Sequence, residues 1–217
     1  MAILHKASLS PTKLELIAGW LPSRPWYSGD PGDVLTQVAA FRFDDPAGEV
    51  GTQVLLVRAE GGGSLYQVPM TYRSAPLDEA SDGLMGEMSH SVLGRRYIYD
   101  GCHDPVFVGE LVRAIVTGGS GVDELIEIDG KIVNVPKSML VRGSGQADAP
   151  VPPLGPLDVR AAGDEDSLAI VRSGSVEVTV PRVLDGRVDS TGLATLTGSW
   201  GDDDSACLAA VRLLDNG

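Results

Sequence analysis

The sequence predicts an α+β fold in which a curved antiparallel β-sheet is packed by two helices and is followed by a mostly β C-terminal part. Two observations indicate this class. Runs of strand length, rich in β-branched and aromatic residues, recur along the chain between turns of glycine, proline and aspartate. Two other segments have apolar residues at helical spacing behind a capping residue and a proline. The sheet can therefore bury a face under the two helices.

The first helix is predicted over residues 11–21. Ser10 can serve as its N-cap, and Pro11 then occupies the first helical position, where the missing N–H costs nothing. Pro22 and Pro25 prevent the helix from continuing. Its apolar stripe consists of Leu14, Ile17, Trp20 and Leu21.

The second helix is predicted over residues 104–117. Asp104 is a capping residue with Pro105 directly after it, and Gly118 with Gly119 ends the helix. The apolar stripe of this helix consists of Phe107, Val108, Leu111, Val112 and Ile115.

An antiparallel meander is predicted between the two helices. Its strands are expected at residues 34–44, 52–59, 65–73, 84–92 and 95–100, with a hairpin turn at Leu93-Gly94. The third run alternates strictly between two faces, which predicts a half-buried strand. The apolar face has Tyr66, Val68, Met70 and Tyr72, and the polar face has Gln67, Thr71 and Arg73.

The C-terminal part, residues 119–217, is predicted to be almost entirely β. Ile128-Asp129-Gly130-Lys131-Ile132 is the strongest hairpin signal, because Asp-Gly suits a primed turn. Residues 147–156 are rich in Pro, Ala and Gly and indicate a linker or exposed loop. Further strands are expected at residues 167–172, 175–183, 192–200 and 206–213, and a short one within 2–9.

Composition excludes several classes of partner. With 17 Lys and Arg against 30 Asp and Glu, the 217-residue chain has a formal net charge of −13. Nucleic acid and acidic membrane surfaces are therefore not expected to bind. The N-terminus lacks signal-peptide features, and no apolar stretch approaches the length of a membrane span. Two cysteines are too few for a disulfide scaffold, so a cytoplasmic protein with reduced thiols is expected.

The densest polar cluster surrounds Cys102 and His103. A thiol enzyme using Cys102, His103 and His90 is one interpretation, although sequence neighbours do not make a catalytic pair by adjacency. The favoured interpretation is a strand end, a tight turn and a helix cap. His90 is interpreted as a partly buried core histidine. The histidines lack metal-ligand spacing, and neither a metal nor a cofactor is expected.

Two glycine runs and one acidic run also invite functional interpretations. Residues 118–121 lack the lysine and Ser/Thr of a P-loop, and residues 143–146 run into prolines instead of a helix. Asp202-Asp203-Asp204 is interpreted as a solvated turn, because it lacks the spaced ligands of a calcium loop. All three are weak signals.

An aromatic group follows the first helix. Trp20, Trp26 and Tyr27 could form a binding surface for a sugar. The alternative, which is favoured, is a hydrophobic staple where the first helix meets the sheet.

Three groups of residues resemble the N-terminal cap domain of maltokinases, in order over residues 1–118. They are Pro11-Thr12-Lys13-Leu14-Glu15-Leu16 with Gly19-Trp20-Leu21-Pro22 and Pro25-Trp26-Tyr27; Tyr66-Gln67-Val68-Pro69-Met70-Thr71-Tyr72-Arg73; and Ser91-Val92-Leu93-Gly94-Arg95-Arg96-Tyr97-Ile98-Tyr99-Asp100 with His103-Asp104-Pro105-Val106-Phe107. Maltokinases phosphorylate maltose with ATP, feeding α-glucan synthesis. In them the cap precedes a kinase-like N-lobe and a catalytic C-lobe, so the resemblance implies a cap-like domain at 1–118 and a degenerate N-lobe-like part at 119–217.

The residues that maltokinases use for phosphoryl transfer have no counterparts in this sequence. Residues 142–146 are similar to the lead-in of the family's phosphate-covering loop, but the hydroxyls that would contact phosphate are replaced in Gly145-Gln146-Ala147-Asp148-Ala149-Pro150. Thr179 stands about where the nucleotide lysine would be, and the residues after it offer neither a His-Gly-Asp loop nor an acidic metal motif. A metal clamp, a lysine and a base are all required, so kinase activity is not expected.

The resemblance implies a non-catalytic binding or regulatory protein, with an enzyme of trehalose–glycogen metabolism as its partner. A small-ligand protein that holds a sugar or glucan across Trp20, Trp26 and Tyr27 is the first alternative. An enzyme of unrelated chemistry that uses the Cys102 region is the second.

Overall fold

The two helices form where the sequence places apolar stripes behind a cap. In the computed structural model, which describes residues 3–4, 8–128, 131–163, 166–184 and 190–214, α1 spans Lys13–Trp20 and α2 spans Pro105–Val116. As predicted, Asp104 caps α2 by accepting a hydrogen bond from the Val106 amide at 3.0 Å. Gly118, with φ +64°, follows the helix end in the left-handed region that favours glycine.

The predicted cap of α1 was wrong by two residues. Thr12, not Ser10, is the N-cap, and Pro11 lies before the helix. The Thr12 hydroxyl accepts from the Glu15 amide at 3.3 Å, and the Glu15 carboxylate accepts from the Thr12 amide at 2.7 Å. This reciprocal capping box satisfies two amides at once, so it outweighs a Ser-Pro start. Pro22 is accommodated in a single 3₁₀ turn, Leu21–Ser23.

The strands form three sheets. Among the described residues they are β1 Ile3–Leu4, β2 Leu9–Ser10, β3 Leu35–Phe41, β4 Gly51–Ala59, β5 Tyr66–Arg73, β6 Leu84–His90, β7 Gly94–Asp100, β8 Glu124–Ile128, β9 Lys131–Val135, β10 Leu140–Gly143, β11 Asp158–Ala162, β12 Leu168–Ser173, β13 Val176–Pro181, β14 Ala194–Trp200 and β15 Asp204–Leu213.

The N-terminal sheet has the order β2-β6-β7-β5-β4-β3 and is antiparallel throughout. The predicted antiparallel strands and the hairpin between β6 and β7 are confirmed. The order differs from the predicted meander, because β5 pairs with β7 and not with β6. One face of the sheet packs on α1 through Leu16, Ile17 and Trp20. The other face contributes Ala39 and other apolar side chains to a second core that contains α2. The predicted sheet packed by two helices is therefore confirmed, with one helix in each core.

The prediction that β5 is half buried was wrong, because both of its faces are covered. Gln67 and Thr71, expected on a solvent face, are 1% and 0% exposed. The Gln67 amide donates to the carbonyl oxygens of Pro181 at 2.9 Å and Leu208 at 2.8 Å. The C-terminal sheet thus supplies the cover of this face, from residues more than 110 positions away in sequence.

The C-terminal sheet has the order β10-β14-β15-β13-β12-β11, which confirms the strands expected there. Its apolar side chains, such as Val178 and Leu208, share one core with α2 and the N-terminal sheet. A small sheet of order β1-β8-β9 completes the fold, with β1 parallel to β8. Ile128 pairs with Lys131 as a hairpin requires, whereas Asp129-Gly130 lies outside the described residues. The division at residue 118 and the likeness to a kinase N-lobe remain predictions.

Candidate functional site

The aromatic group after α1 lies mostly inside the protein. Trp20 and Trp26 are 8% and 6% exposed and meet edge to face, with ring centroids 5.7 Å apart. Trp26 also packs on Tyr66, at 6.0 Å between centroids. The guanidinium of Arg24 lies over the Trp20 ring at 4.9 Å. This placement supports the interpretation of the two indoles as a staple between helix and sheet.

Tyr27 is the half-buried member of that group. Its hydroxyl contacts the Asp33 carboxylate at 3.1 Å, and its ring lies 5.1 Å from Tyr66 between centroids. Burial, followed by the hydrogen bond to Asp33, raises the pKa of Tyr27 to about 12. Of the three aromatic residues predicted to form a sugar surface, Tyr27 is the one that an external ligand can approach.

The thiol of Cys102 is inside the protein. Cys102 is 0% exposed, and burial raises its pKa to about 12. A thiol with such a pKa is protonated at neutral pH, and the thiolate is the nucleophilic form. Both Cys102 and Cys207 are free, in agreement with the expected reduced state, and burial also raises the pKa of Cys207.

His90, one of the two histidines proposed to assist Cys102, does not converge on it. His90 closes the hairpin between β6 and β7, where its Nδ1 accepts from the amides of Val92 at 3.2 Å and Leu93 at 3.0 Å. It pairs with Gly94, whereas Cys102 follows the opposite end of β7. At about 3.3 Å per residue the two ends of β7 are roughly 20 Å apart. His90 is partly buried with its Nδ1 hydrogen-bonded, as predicted, but these bonds are made to the hairpin turn.

The turn that contains Cys102 and His103 is built around carboxylates. Asp100 accepts from the Cys102 amide at 3.1 Å and begins a 3₁₀ turn, Gly101–His103. Burial lowers the pKa of His103, which favours the neutral imidazole. The predicted strand end, tight turn and helix cap are therefore confirmed.

A buried ion pair that sequence reasoning missed lies beside this turn. Arg182 donates from Nη2 to the Asp100 carboxylate at 2.5 Å, with side chains only 5% and 7% exposed. The guanidinium also lies 5.8 Å from the Trp26 ring. Burial acts to lower the pKa of Arg182, but the charge of Asp100, the interaction with Cys102 and the hydrogen bond to Asp100 together outweigh it, and the pKa is raised. The available signal was an arginine that directly follows the apolar strand β13.

Asp104 forms a second buried cluster while it caps α2. It is 0% exposed and accepts from the Thr71 hydroxyl at 2.6 Å and from two nitrogens of Arg73, each at 2.7 Å. The hydrogen bond to Asp104 raises the pKa of Arg73. The carboxylate oxygens of Asp104 thus connect the polar residues of β5 to the start of α2.

The two glycine runs meet at the C-terminal end of α2. A Cβ added at Gly143 would lie 1.9 Å from the Ala114 carbonyl oxygen, and one at Gly145 would lie 1.9 Å from that of Val116. Only glycine permits this approach, which lets the run donate to the open carbonyls of the last helical turn. The amides of residues 143–146 donate, in order, to the carbonyl oxygens of Gly119, Thr195, Ile115 and Val116, at 2.9, 2.9, 2.9 and 3.0 Å.

The remaining candidate residues from the sequence lie in a strand and in a turn. Thr179 is half buried in β13, between Ile170 of β12 and Ala210 of β15. Asp202 and Asp203 lie in the exposed turn before β15, as expected. Within the described ranges, His, Cys, Asp and Glu do not form a group of three or more that could hold a metal ion. In the same ranges, no helix is long and apolar enough to cross a membrane.

Comparison with known families gives one finding. Residues 20–104 match the family model of the maltokinase N-terminal cap domain. The resemblance that the sequence indicated is therefore confirmed for this part of the chain, which contains β3 to β7 of the N-terminal sheet and the turn before α2. The match covers the cap and does not extend into the C-terminal sheet. No curated protein matches the chain.

Proposed function

We propose that this protein is a non-catalytic binding module, similar to the maltokinase cap, that regulates an enzyme of α-glucan metabolism in the cytoplasm by docking on it. One observation carries the non-catalytic half of the proposal. The four amides of residues 143–146, where the resemblance places the start of a phosphate-covering loop, all donate to carbonyl oxygens of the same chain.

The electrostatic environment of residues 143–146 also disfavours the binding of a phosphate. Phosphate is usually bound at the N-terminus of a helix, where open amides and the positive end of the helix dipole coincide. Residues 143–146 lie at the opposite end of α2, among the carbonyl groups of its last turn. A phosphate there would meet the negative end of the dipole and amides that are already paired.

Two further features support the absence of catalysis. Where the resemblance places the nucleotide lysine, the chain has Thr179, which has no charge to offset the charge on a transferred phosphoryl group. The alternative thiol chemistry would require a nucleophile at Cys102, whose thiol is buried and has a pKa of about 12. The regulatory half rests on the match to a cap domain.

The catalytic half is tested by a coupled ATPase assay with magnesium, with maltose, glucose and glucosamine as acceptors. Turnover should not exceed the background of the same assay without the protein, and a Gly155→Ala variant, a change in open space, should give the same result. Turnover that instead follows the concentration of the folded protein would overturn this half of the proposal.

The binding half is tested by titrating the purified trehalose- and glycogen-metabolising enzymes of the source cell, one at a time, by calorimetry. We expect a saturable complex with one of them and a change in its rate. If none binds while maltose or a longer glucan quenches the tryptophan fluorescence and saturates, the protein is a sugar-binding protein and the regulatory proposal is wrong.

A further inference from the structure

A cleft of about 240 Å³ lies beside β3, one of the two edge strands of the N-terminal sheet. The segment 135–141 forms its opposite wall, and residues 120–122 close the third side. The lining combines apolar side chains with a group of polar ones. The polar side chains are Arg42, Gln37, Gln53, Ser120, Lys137 and Ser138.

The walls of the cleft are fixed to one another by hydrogen bonds. The Ser138 hydroxyl contacts both the amide and the carbonyl oxygen of Ala40, at 2.9 and 3.3 Å. The Val122 amide donates to the Arg42 carbonyl oxygen at 3.0 Å. The segment and the loop are thus both bound to the edge of the sheet, and the cleft is largely preformed.

Two cationic side chains line this cleft. Lys137 is held in place because its ammonium donates to the Gly121 carbonyl oxygen at 2.9 Å and lies 2.8 Å from the Asp123 carboxylate. Among the described residues Arg42 has no carboxylate within ion-pair distance. Asp123 offsets the charge of Lys137, so Arg42 is the lining cation without an ion pair among the described residues, in a chain whose net charge is −13.

Arg42 also has an unused donor. Its Nε is buried and has no hydrogen-bond partner among the described residues. A buried donor without a partner is rare in folded proteins, because its desolvation is not offset. An external oxygen, from water or from a ligand, is therefore expected at this nitrogen.

Gln53 adds an amide group to the polar lining of the cleft. Its Oε1 accepts from the Lys13 ammonium at 2.6 Å and from the Tyr72 hydroxyl at 3.2 Å. Since an ammonium can only donate, the oxygen of Gln53 faces Lys13 and its amide nitrogen remains the other polar end. The lining of the cleft therefore combines a guanidinium, an ammonium and an amide group.

We propose that this cleft binds a small anion whose phosphate or carboxylate group lies against Arg42. A guanidinium offers a planar set of donors that matches either oxyanion, and the bonds are charge-assisted. A cleft of about 240 Å³ lies below the range of about 300–1,000 Å³ typical of ligand pockets, so the expected ligand is a small metabolite. The proposal is independent of the regulatory function proposed above, because it rests on Arg42 and Lys137 alone.

The test is a titration of the ¹⁵N-labelled full chain, followed by NMR at constant ionic strength. Inorganic phosphate and citrate are the anionic probes, and maltose is the neutral one. We expect saturable shifts of the Arg42 Nε–Hε signal and of the Gly121 and Ser138 amides with at least one anion. The better anion identifies whether phosphate or carboxylate is preferred.

Matched variants decide whether Arg42 is responsible. Arg42→Gln should weaken binding about ten- to a hundredfold, as expected for the loss of a charge-assisted hydrogen bond. Arg58→Gln is the control, because the Nε of Arg58 is also buried without a partner among the described residues while Arg58 does not line the cleft. If Arg42→Gln fails to fold, Lys137→Gln replaces it, since Lys137 is exposed.

Three results would overturn the proposal. The first is a shift that grows linearly with added salt of any kind and does not saturate. The second is an equal loss of affinity in the Arg42→Gln and Arg58→Gln variants. The third is saturation by maltose with no response to either anion, which would identify a neutral polyol site.

Discussion

Asp100→Asn is the most informative single change to the fold, because it removes one charge of the buried pair and little else. Asparagine has nearly the same shape, and its carbonyl oxygen can still accept from the Cys102 amide, as Asp100 does at 3.1 Å. Arg182 would remain 5% exposed, with an Nη1 that already lacks a partner among the described residues. The variant therefore isolates the cost of a buried guanidinium without its counter-ion.

The expected loss is about 3–5 kcal/mol of unfolding free energy, the usual result of removing one partner from a buried pair. At a urea m-value of about 2 kcal/mol/M this shifts the unfolding midpoint down by roughly 1.5–2.5 M. Arg182→Met should cost less than Asp100→Asn. The carboxyl that it leaves can be neutralised by a proton, whereas a guanidinium cannot lose its charge.

The assay is equilibrium urea unfolding followed by tryptophan fluorescence, with the m-value compared between variants. Asp158→Asn is the matched control, because its partner Arg160 and Asp158 itself are 62% and 51% exposed, and its midpoint should not change measurably. A midpoint shift below about 0.5 M for Asp100→Asn would refute the reasoning, because it would mean that solvent already compensates Arg182.

Three further predictions follow from the core and the turns. Cys102, with a pKa of about 12, should not react with a thiol reagent at pH 8 until urea is added, and fast labelling in the native state would contradict its burial. Gly145→Ala should prevent folding or cost about 3 kcal/mol or more by circular dichroism melting, because its Cβ would lie 1.9 Å from the Val116 carbonyl oxygen and overpacking typically costs about 1–3 kcal/mol, occasionally more. Gly155→Ala, in open space, should be neutral. Burial lowers the pKa of His103, so the unfolded state binds more protons than the folded state, and the melting temperature should decrease as the pH is lowered below 6.5. His103→Gln should reduce this dependence of melting temperature on pH, and an unchanged dependence would contradict the reasoning.

Much of the fold could be predicted because its signals are local. The strands of the N-terminal sheet alternate or are bounded by turn residues, and Asp104-Pro105 marks the start of α2 in the sequence itself. The misplaced cap of α1 was also local. Thr12 and Glu15 have the spacing of a capping box, which satisfies more amides than the Ser10-Pro11 pair that was preferred.

The remaining errors concern contacts between distant parts of the chain. Gln67 has the alternation of a solvent-facing residue, and only the carbonyls of Pro181 and Leu208 make its burial favourable. The Arg182–Asp100 pair joins residues 82 positions apart, and periodicity within one strand contains no information about such a partner. The cleft beside β3 was missed for the same reason, since Arg42 and Lys137 meet only after folding.

The position of the glycine run 143–146 in the structure explains why its composition was a weak signal for phosphate binding. Glycines permit a close approach of backbone to an oxygen, and that oxygen can belong to a phosphate or to the open end of a helix. The two cases differ in what lies beyond the loop. A phosphate loop leads into a helix N-terminus, whereas this run donates to the carbonyls of Ile115 and Val116 at a helix C-terminus. The prolines at 150, 152 and 153 agree with this, because they follow the run where a phosphate site would need a helix to begin.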